Sequence, residues 1–483
     1  MNARLHAAVL ALCVAGSACA GDMLDQVFTP RPDPLSTLPP IIATGAALPG
    51  DMAPHACDDL NADTALTLAG AIDLALCRNP QIAGAWAGIR VQAAGLGQAR
   101  AAYLPTLSAS AGRQHSRTSL SGATPDASTV NSTLVSATLG WRLFDFGGRN
   151  AATRSAQALL EAALANHDAS LQKVLAGVIQ SYFDAQTAQA AAQSRQRQET
   201  MAVAMLDTVS RREQRGAAAR TDTLQAATAL ARASLERSRA DGAYRKTLAA
   251  LVAVMGMPGA TRLTLADDLA DPEGAMRGEL DHWLADAQAR HPALLAARAQ
   301  LASAQENIVT TRSEGLPTLD FSTALYRNGR PNQGATQNTQ ETVAGITLTI
   351  PLFDGFSRTY KVRGAEAQFA QKEADLRDLE QQTAMEVAKA HADANAAFAN
   401  LAASKSLLDA ADEARASVQR KYDRDAADIR DLLGTQGSYD DAQQERLRCL
   451  ADWRAARLRL LAVAGRMGKW ALVKSAEMVN GDP

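Results

Sequence analysis

Residues Gly315–Tyr326, with the sequence GLPTLDFSTALY, decide the fold of this chain. An alanine-rich helical stretch ends here, because the proline at position 317 cannot continue a helix. The segment that follows alternates apolar and polar residues, as a β-strand does. The same change occurs earlier, at residues Ala102–Leu107 with the sequence AYLPTL. The chain therefore contains one helix-to-strand transition twice.

Prolines mark the extent of this duplication. Pro80 and Pro292 are 212 positions apart, and so are Pro105 and Pro317. A short amphipathic helix is predicted before the first proline of each copy, and a longer helix between the two prolines. Two copies are too few for a solenoid, so the spacing predicts an internal two-fold repeat. The copies are residues 66–280 and residues 281–470.

Each copy contains two candidate strands joined by a polar loop. They are predicted at about 106–117 and 133–143, and at about 318–326 and 342–352. About ten residues is the length a strand needs to cross a bilayer at a tilt. Four strands cannot close a barrel, and open edges are not tolerated in lipid, so several chains must contribute. Three chains would supply twelve strands, an even number.

A very long helix is predicted after each strand pair, and each folds back as a helical hairpin, at about 149–256 and about 356–465. In the first, Leu171, Val174 and Val178 recur with coiled-coil spacing. Some 65 residues of helix would be about 100 Å long. The expected fold class is therefore mainly α, with a long antiparallel helical tunnel joined to a transmembrane β-barrel.

The first residues have the features of a secretory signal. Basic residues precede a short apolar run, and Ala18-Cys19-Ala20 fits a small-x-small cleavage site, so residues 1–20 are predicted to be a signal peptide. A lipoprotein modified at Cys19 is the alternative, but Gly16 stands where lipoproteins usually carry a bulky aliphatic residue. The signal favours a membrane barrel over a soluble hairpin with one wet face.

The regions outside the two copies are short. Residues 21–65 are rich in proline, aspartate and threonine, which predicts an extended polar arm. Residues 471–483 form a C-terminal tail. In an oxidising compartment, Cys57 and Cys77 could form a disulfide that ties the arm to the next helix. Free buried thiols are the alternative.

Composition argues against two classes of function. The net charge is −2, which gives no electrostatic basis for binding nucleic acid. The seven histidines are scattered, and the sequence contains no HExxH or GxSxG motif. We therefore expect no catalytic residues, no metal and no cofactor. A structural coiled-coil protein of the cell envelope is a further alternative, which the interleaved strands disfavour.

Five motifs recur in a fixed order over about residues 66–470: Asn79-Pro80, Tyr103-Leu104-Pro105, LFDFGGR at Leu143–Arg149, LPTL at Leu316–Leu319 and PLFDG at Pro351–Gly355. Taken in order, these motifs resemble the TolC-type outer membrane factor family. The resemblance implies a homotrimer whose twelve strands form a pore in the outer membrane lipid and whose helices form a tunnel through the periplasm.

The resemblance also implies partners. Such proteins are exit ducts of tripartite efflux pumps or of type I secretion machines. An inner-membrane ABC or proton-driven transporter supplies the energy, and a periplasmic adaptor joins it to the duct. The weak lipoprotein signal favours type I export of a protein toxin of the RTX or cyclolysin kind, hence a role in haemolysis. Multidrug or small-molecule efflux is the alternative.

In family members, contacts between neighbouring hairpin turns close the periplasmic end of the tunnel. Thr221 and Asp222 match the acceptor side of this latch, and Tyr422 matches its donor. The basic latch residue of the family falls on Ala427. The missing cation could come from one of two nearby arginines, Arg420 or Arg424.

The resemblance further implies acidic rings just inside the gate. Asp431 matches one ring position, whereas the second falls on Gly434. Asp425 or Asp428 could supply the missing charge. Three-fold symmetry would turn any inward carboxylate into a ring that favours cations.

Overall fold

The computed structural model describes residues 33–37, 65–119, 127–259, 261, 263–266, 278–327, 340–424 and 426–466. The expected signal peptide with Cys19, most of the polar arm including Cys57, and the C-terminal tail lie outside the described residues. No helix within the described ranges combines the length and the apolar character needed to cross a membrane.

Each copy of the repeat contributes the same series of elements: a short helix, a medium helix, two strands and two long helices. The first copy contains α1 (Leu68–Arg78), α2 (Pro80–Ala101), β1 (Thr106–Ser119), β2 (Ala127–Phe144), α3 (Gly148–Gln214) and α4 (Arg220–Val254). The second contains α5 (Leu280–Arg290), α6 (Pro292–Ser313), β3 (Thr318–Arg327), β4 (Gln340–Thr349), α7 (Ser357–Tyr422) and α8 (Ile429–Val463).

The described residues fall into two compact units. One contains residues 90–157 and 309–362 with the N-terminal segment, and the other contains the remaining helices. In the first unit the four strands form one antiparallel sheet in the order β1-β2-β3-β4. Strand β2 begins at Ala127, earlier than the sequence pattern indicated, because its polar first residues pair with the end of β1. Strand β4 ends before Pro351, which has no N–H to donate.

The two faces of this sheet differ in chemistry. Trp141, Phe321 and Ile346 lie opposite one another on three neighbouring strands, so they share one face. Ile346 is 64% exposed and Leu107, on the same face, is 76% exposed. The other face is polar: Arg142 forms an ion pair with Asp320 (2.9 Å) and Ser110 hydrogen-bonds Ser136 (2.7 Å).

An aspartate–arginine pair holds each change from strand to long helix. In the first copy, Asp145 Oδ2 accepts the backbone N–H of Arg149 (2.8 Å) and its Nε–H (3.0 Å). The Arg149 guanidinium also donates to the Arg142 carbonyl (2.7 Å) and lies 4.7 Å from the Tyr103 ring centroid. In the second copy, Asp354 accepts the N–H of Arg358 (2.9 Å), whose side chain donates to the Gly315 carbonyl.

Residues with positive φ lie between the acid and the arginine in both copies. They are Phe146 (51°) and Gly147 (90°) in the first copy, and Gly355 (67°) and Phe356 (67°) in the second. A left-handed backbone reverses the chain sharply, and glycine adopts it at no steric cost. The sharp chain reversal therefore explains why both the LFDFGGR and the PLFDG stretch contain glycine directly after or near the aspartate.

A short described piece of the polar arm lies against α2. The Asp33 carboxylate accepts the backbone N–H of Thr37 (2.9 Å) and so closes a turn. Arg100 of α2 donates to the carbonyl oxygens of Leu35 (3.0 Å) and Ser36 (3.3 Å). These bonds hold the arm where it passes α2.

In the second unit, the described residues form two large apolar clusters. The first joins α1, α3 and α4, and Leu458 and Ala462 of α8 also belong to it; Leu175 and Leu251 are fully buried there. The second joins α5, α7 and α8, where Trp283 and Trp453 pack among alanines. Helices α4 and α8 are the return helices, because each runs back along the preceding long helix. Each ends beside a glycine with positive φ, Gly256 (74°) for α4 and Gly465 (69°) for α8.

Candidate functional site

The turn between α3 and α4 is closed by its own backbone. The Ala217 N–H donates to the Arg212 carbonyl and the Gly216 N–H to the Glu213 carbonyl, both at 2.8 Å. Gly216 has φ 72°, the conformation that ends many helices in this way. Asp222 lies in the first turn of α4, where its carboxylate accepts the Ala219 N–H (3.2 Å). Asp222 therefore caps α4 within the chain.

The turn between α7 and α8 uses a carboxylate in the same way. Helix α7 ends at Tyr422, and the Ala426 N–H donates to the Lys421 carbonyl (2.8 Å). Asp428 is the N-cap of α8, and its side chain accepts the Asp431 N–H (2.9 Å). A negative charge is favourable there because it faces the positive end of the helix dipole.

A small apolar cluster joins the two turns. Val209 of α3, Ala226 of α4 and Ile429 of α8 are buried together, and Tyr422 packs against them. The ends of both hairpins of one chain are therefore in direct contact. We call this cluster, with Tyr422, the tip cluster.

A cation contacts the tip cluster, and it comes from the first hairpin. The Arg212 guanidinium carbon lies 5.2 Å from the centroid of the Tyr422 ring. Arg420 and Arg424, the two arginines expected to replace the basic latch residue, are both exposed. Sequence reasoning missed Arg212, since an arginine in the last turn of a helix is well explained by the helix dipole alone.

The other expected gate residues lie on or near the two turns. Thr221, Asp428 and Asp431 are exposed, and Asp222 is half-buried. Within the described part of the chain, no ion pair or hydrogen bond joins Asp222 to Tyr422. Asp425 lies outside the described residues. The remaining positions are Ala427, half-buried before the α8 cap, and Gly434, exposed on α8.

The cysteines have different environments. Cys77, near the end of α1, is disulfide-bonded. The expected partner, Cys57, lies outside the described residues, so the pairing remains a prediction. Cys449 of α8 is free and buried, and burial raises the pKa of its thiol. No three histidine, cysteine, aspartate or glutamate side chains of the described ranges are grouped as metal ligands.

Two successive segments, residues 71–257 and 283–466, match one family model, described as outer membrane efflux protein. The chain belongs to this family. One matched segment lies within residues 66–280 and the other within residues 281–470. The resemblance to TolC-type outer membrane factors is confirmed, and so is the expected place of this channel subunit in the outer membrane.

Individual relatives support this membership. The protein is 37% identical over 419 residues to protein CyaE of Bordetella pertussis, with 86% of each chain covered. It is 26% identical over 443 residues to the alkaline protease secretion protein AprF of Pseudomonas aeruginosa, covering 86% of this chain and 88% of that one. The solved outer-membrane channel OprN superposes with a TM-score of 0.72 at 19% identity, covering 83% of this chain and 90% of that one. The expected fold class, mainly α with a long antiparallel helical tunnel and a transmembrane β-barrel, is therefore confirmed: the described residues are mainly helical with one four-stranded antiparallel sheet, and they share the fold of a solved outer-membrane channel.

Proposed function

We propose that three copies of this outer membrane efflux protein form the exit duct of a type I secretion machine that exports a protein. The observation that carries the proposal is the sheet, which has one exposed apolar face and one polar face. An exposed apolar face that extends over four strands is unfavourable in water and favourable against lipid. The polar face would then line a water-filled pore.

The copy number follows from the open edges of the sheet. Among the described residues, β1 and β4 each have one side without a partner strand. In lipid those backbone groups must be hydrogen-bonded, so β4 of one copy pairs with β1 of the next. Three copies close a barrel of twelve strands.

The duct itself performs no reaction in this proposal. An inner-membrane transporter, of the ABC type in type I secretion, supplies the energy, and a periplasmic adaptor connects it to the hairpin turns. The name of the relative AprF, which refers to secretion of an alkaline protease, favours a protein as cargo. Small-molecule efflux is the competing outcome of the secretion test below.

The tip cluster and its charged neighbours form the gate in this proposal. Arg212 holds Tyr422 within one chain, while Asp222, Thr221, Arg420 and Arg424 are available to a neighbouring copy. The carboxylate of Asp431 forms the acidic ring, and Asp428 or Asp425 supplies its second charge. Contacts of this exposure are weak, about 0–1 kcal/mol each, which suits a gate that a partner must open.

The gate is tested by single-channel conductance of the purified full-length protein in planar bilayers. Arg212→Ala, Asp222→Ala and Tyr422→Phe are each expected to raise the open fraction, by up to about five-fold for a contact of 1 kcal/mol. Arg211→Ala is the matched control, because Arg211 is exposed and pairs with Asp207 of its own helix. Unchanged conductance in both Asp222→Ala and Tyr422→Phe would refute the latch.

Two further measurements address selectivity and cargo. Asp431→Ala is expected to weaken cation selectivity, and an unaltered reversal potential would contradict the acidic ring. Deleting the gene in its native host should abolish one secreted protein from the culture medium. An unchanged set of secreted proteins together with increased drug sensitivity would instead establish small-molecule efflux.

A further inference from the structure

The apolar face of the sheet carries positive charge at one end. Side chains alternate between the two faces of a strand, so Arg113 and Arg117 lie on the same face as Leu107 in β1. By the same rule, Arg327 of β3 shares that face with Phe321. All three arginines are exposed. We call them the outer arginines.

The outer arginines form one patch at the end of the sheet away from the helices. Strands β1 and β3 each follow a helix, and the arginines lie in their later halves. Ala111 and Arg327 both pair with Val135 of β2, from opposite sides. Two strand spacings are about 10 Å and Arg113 is two residues beyond Ala111, so Arg113 and Arg327 are about 12 Å apart. Arg117 lies about 13 Å further along β1 than Arg113.

This patch has no acidic counterpart on the strands. The described strands contain two acidic residues, Asp320 and Glu341, and alternation places both on the polar face. Asp320 is paired there with Arg142, the fourth strand arginine (2.9 Å). In the proposed trimer, β4 of the next copy lies beside β1, and its one acidic residue is again Glu341. The anion that balances the outer arginines therefore comes from outside the sheet.

The position of the patch along the proposed barrel indicates which anion it meets. Arg327 is eight residues beyond Leu319, about 27 Å along the strand. A tilt of about 40° makes this about 21 Å of height, and the apolar band of such barrels is about 25 Å tall. An arginine side chain is long enough to carry its charge over the remaining distance. An outward arginine is strongly unfavourable in the middle of a bilayer and nearly neutral at its surface. The outer arginines therefore reach the headgroups of the outer leaflet.

We infer that the outer arginines bind the phosphate groups of a phosphorylated sugar lipid in the outer leaflet of the outer membrane. A planar guanidinium donates two parallel hydrogen bonds to phosphate oxygens. His115 lies between Arg113 and Arg117 on the same face. It hydrogen-bonds Asn131 of β2 (Nδ1 to Oδ1, 2.7 Å). Both side chains are exposed, and their remaining polar atoms can bond sugar hydroxyls. The inference rests on the proposed orientation of the sheet in lipid.

The site is tested by equilibrium binding of fluorescent lipid A, a bisphosphorylated glucosamine lipid, to the full-length protein in detergent. Lipid A should bind about 100-fold more tightly than the same lipid after its phosphates are removed, because each of the three arginines contributes about five-fold. This comparison needs no variant, so it does not depend on the folding of a mutant. Equal affinities for the two lipids would overturn the site and leave the proposed duct intact.

Substitutions locate the binding on the sheet. Arg113→Gln, Arg117→Gln and Arg327→Gln should each lower the affinity for lipid A about five-fold. Arg142→Gln is the matched control, because Arg142 is a strand arginine on the opposite face, and it should bind lipid A as the wild type does. An equal loss of affinity in the control would overturn the assignment. Release of the lipid by inorganic phosphate at the same concentration would overturn the lipid as the occupant.

Conductance separates failure of this site from failure of the duct. In planar bilayers of phosphatidylethanolamine and phosphatidylglycerol, the variant with all three outer arginines replaced by glutamine should keep the reversal potential of the wild type, because outward side chains do not line the pore. A shifted reversal potential would place the arginines in the pore and overturn the site. If the wild type does not conduct, the proposed duct fails, whereas the binding of lipid A in detergent still decides whether the arginines bind phosphate.

Discussion

The two copies of the repeat share a backbone plan but differ in the side chains that fill it. The first cluster is mainly aliphatic, and Leu175 and Leu251 are fully buried in it. In the second, the ring of Trp453 packs 5.1 Å from that of Phe398 and among small residues such as Ala390 and Ala394. The same fold therefore tolerates two ways of filling its interior, provided that the total volume is kept.

What the copies keep is the backbone geometry where helices meet. A Cβ added to Gly256 would lie 2.6 Å from the Arg78 carbonyl oxygen, and one added to Gly465 would lie 3.0 Å from the Arg290 carbonyl. Both glycines end a return helix against the end of a short helix. Close backbone approaches, rather than core side chains, therefore define the repeat.

The largest expected effect tests the difference between the two clusters. Trp453→Ala should reduce the free energy of unfolding by about 5 kcal/mol, and Leu175→Ala by about 3 kcal/mol. The tryptophan substitution costs more because its alanine neighbours are too short to fill the cavity. Circular dichroism of the detergent-solubilised protein during denaturation measures both. Equal losses would mean that the two clusters collapse equally well around a cavity.

The next effect tests what the copies share. Gly256→Ala is expected to destabilise the protein by about 3 kcal/mol and Gly465→Ala by about 2 kcal/mol, because a left-handed alanine costs about 1–2 kcal/mol and the steric conflict is worse at Gly256. Thermal denaturation monitored by circular dichroism gives the order. Gly242→Ala is the control, because Gly242 lies inside α4 and an added Cβ would meet nothing within 4 Å; it should be neutral or slightly stabilising. A neutral result at either end glycine would contradict the shared role.

A smaller effect concerns the residue between the short and medium helices. In the first copy the Asn79 side-chain amide donates to the Val254 carbonyl (2.8 Å). Its counterpart His291 has a buried Nδ1 with no partner in the described ranges. His291→Asn can form the corresponding bond to Val463 and should stabilise the protein by about 1 kcal/mol. A lower melting temperature for His291→Asn would show that the second copy cannot accommodate that bond.

The smallest effect is a pH dependence that only the second copy should have. Burial lowers the pKa of His291, and the nearby carboxylate of Glu386 offsets part of this shift. The folded state therefore binds a proton less readily than the unfolded state. The contribution of the neutral His291 side chain to stability is fully present above the unfolded pKa of about 6.5. It is lost as the pH falls toward the lower pKa of the folded state. The difference between the melting temperatures at pH 7.5 and pH 5.5 should be smaller in His291→Asn than in the wild type. An equal difference in the two proteins would show that His291 does not cause this pH dependence.

Sequence alone predicted the elements that depend on local geometry. Asn79-Pro80, Leu104-Pro105 and the aspartate–arginine turns specify helix ends and chain reversals through fixed φ values and missing donors. The start of β2 at Ala127 was not predictable, because its serine- and threonine-rich first residues are equally compatible with a loop. They form a strand only because β1 offers a pairing edge.

The two hairpin turns proposed as the gate were predicted less completely than the fold. The resemblance placed Asp222 and Tyr422 at the two turns, but the contacts that each makes within the chain were not predicted. Asp222 and Asp428 cap helices within the chain, and Arg212 contacts Tyr422 although the two are distant in sequence. Contacts between separate hairpins depend on how the helices pack, and that information is not present in any short motif.

The open edges of the sheet have a genetic consequence. In the proposed trimer, β1 and β4 of every copy pair with strands of the two neighbouring copies. One faulty copy therefore prevents the whole barrel from closing. A proline within β4, such as Ile346→Pro, removes a backbone donor from the sheet. The altered copy would therefore also disrupt trimers that contain normal copies. With normal and altered genes expressed equally, only about one trimer in eight would contain three intact copies. Mutations at this edge should therefore be dominant, whereas those in the apolar clusters of the helices should be recessive.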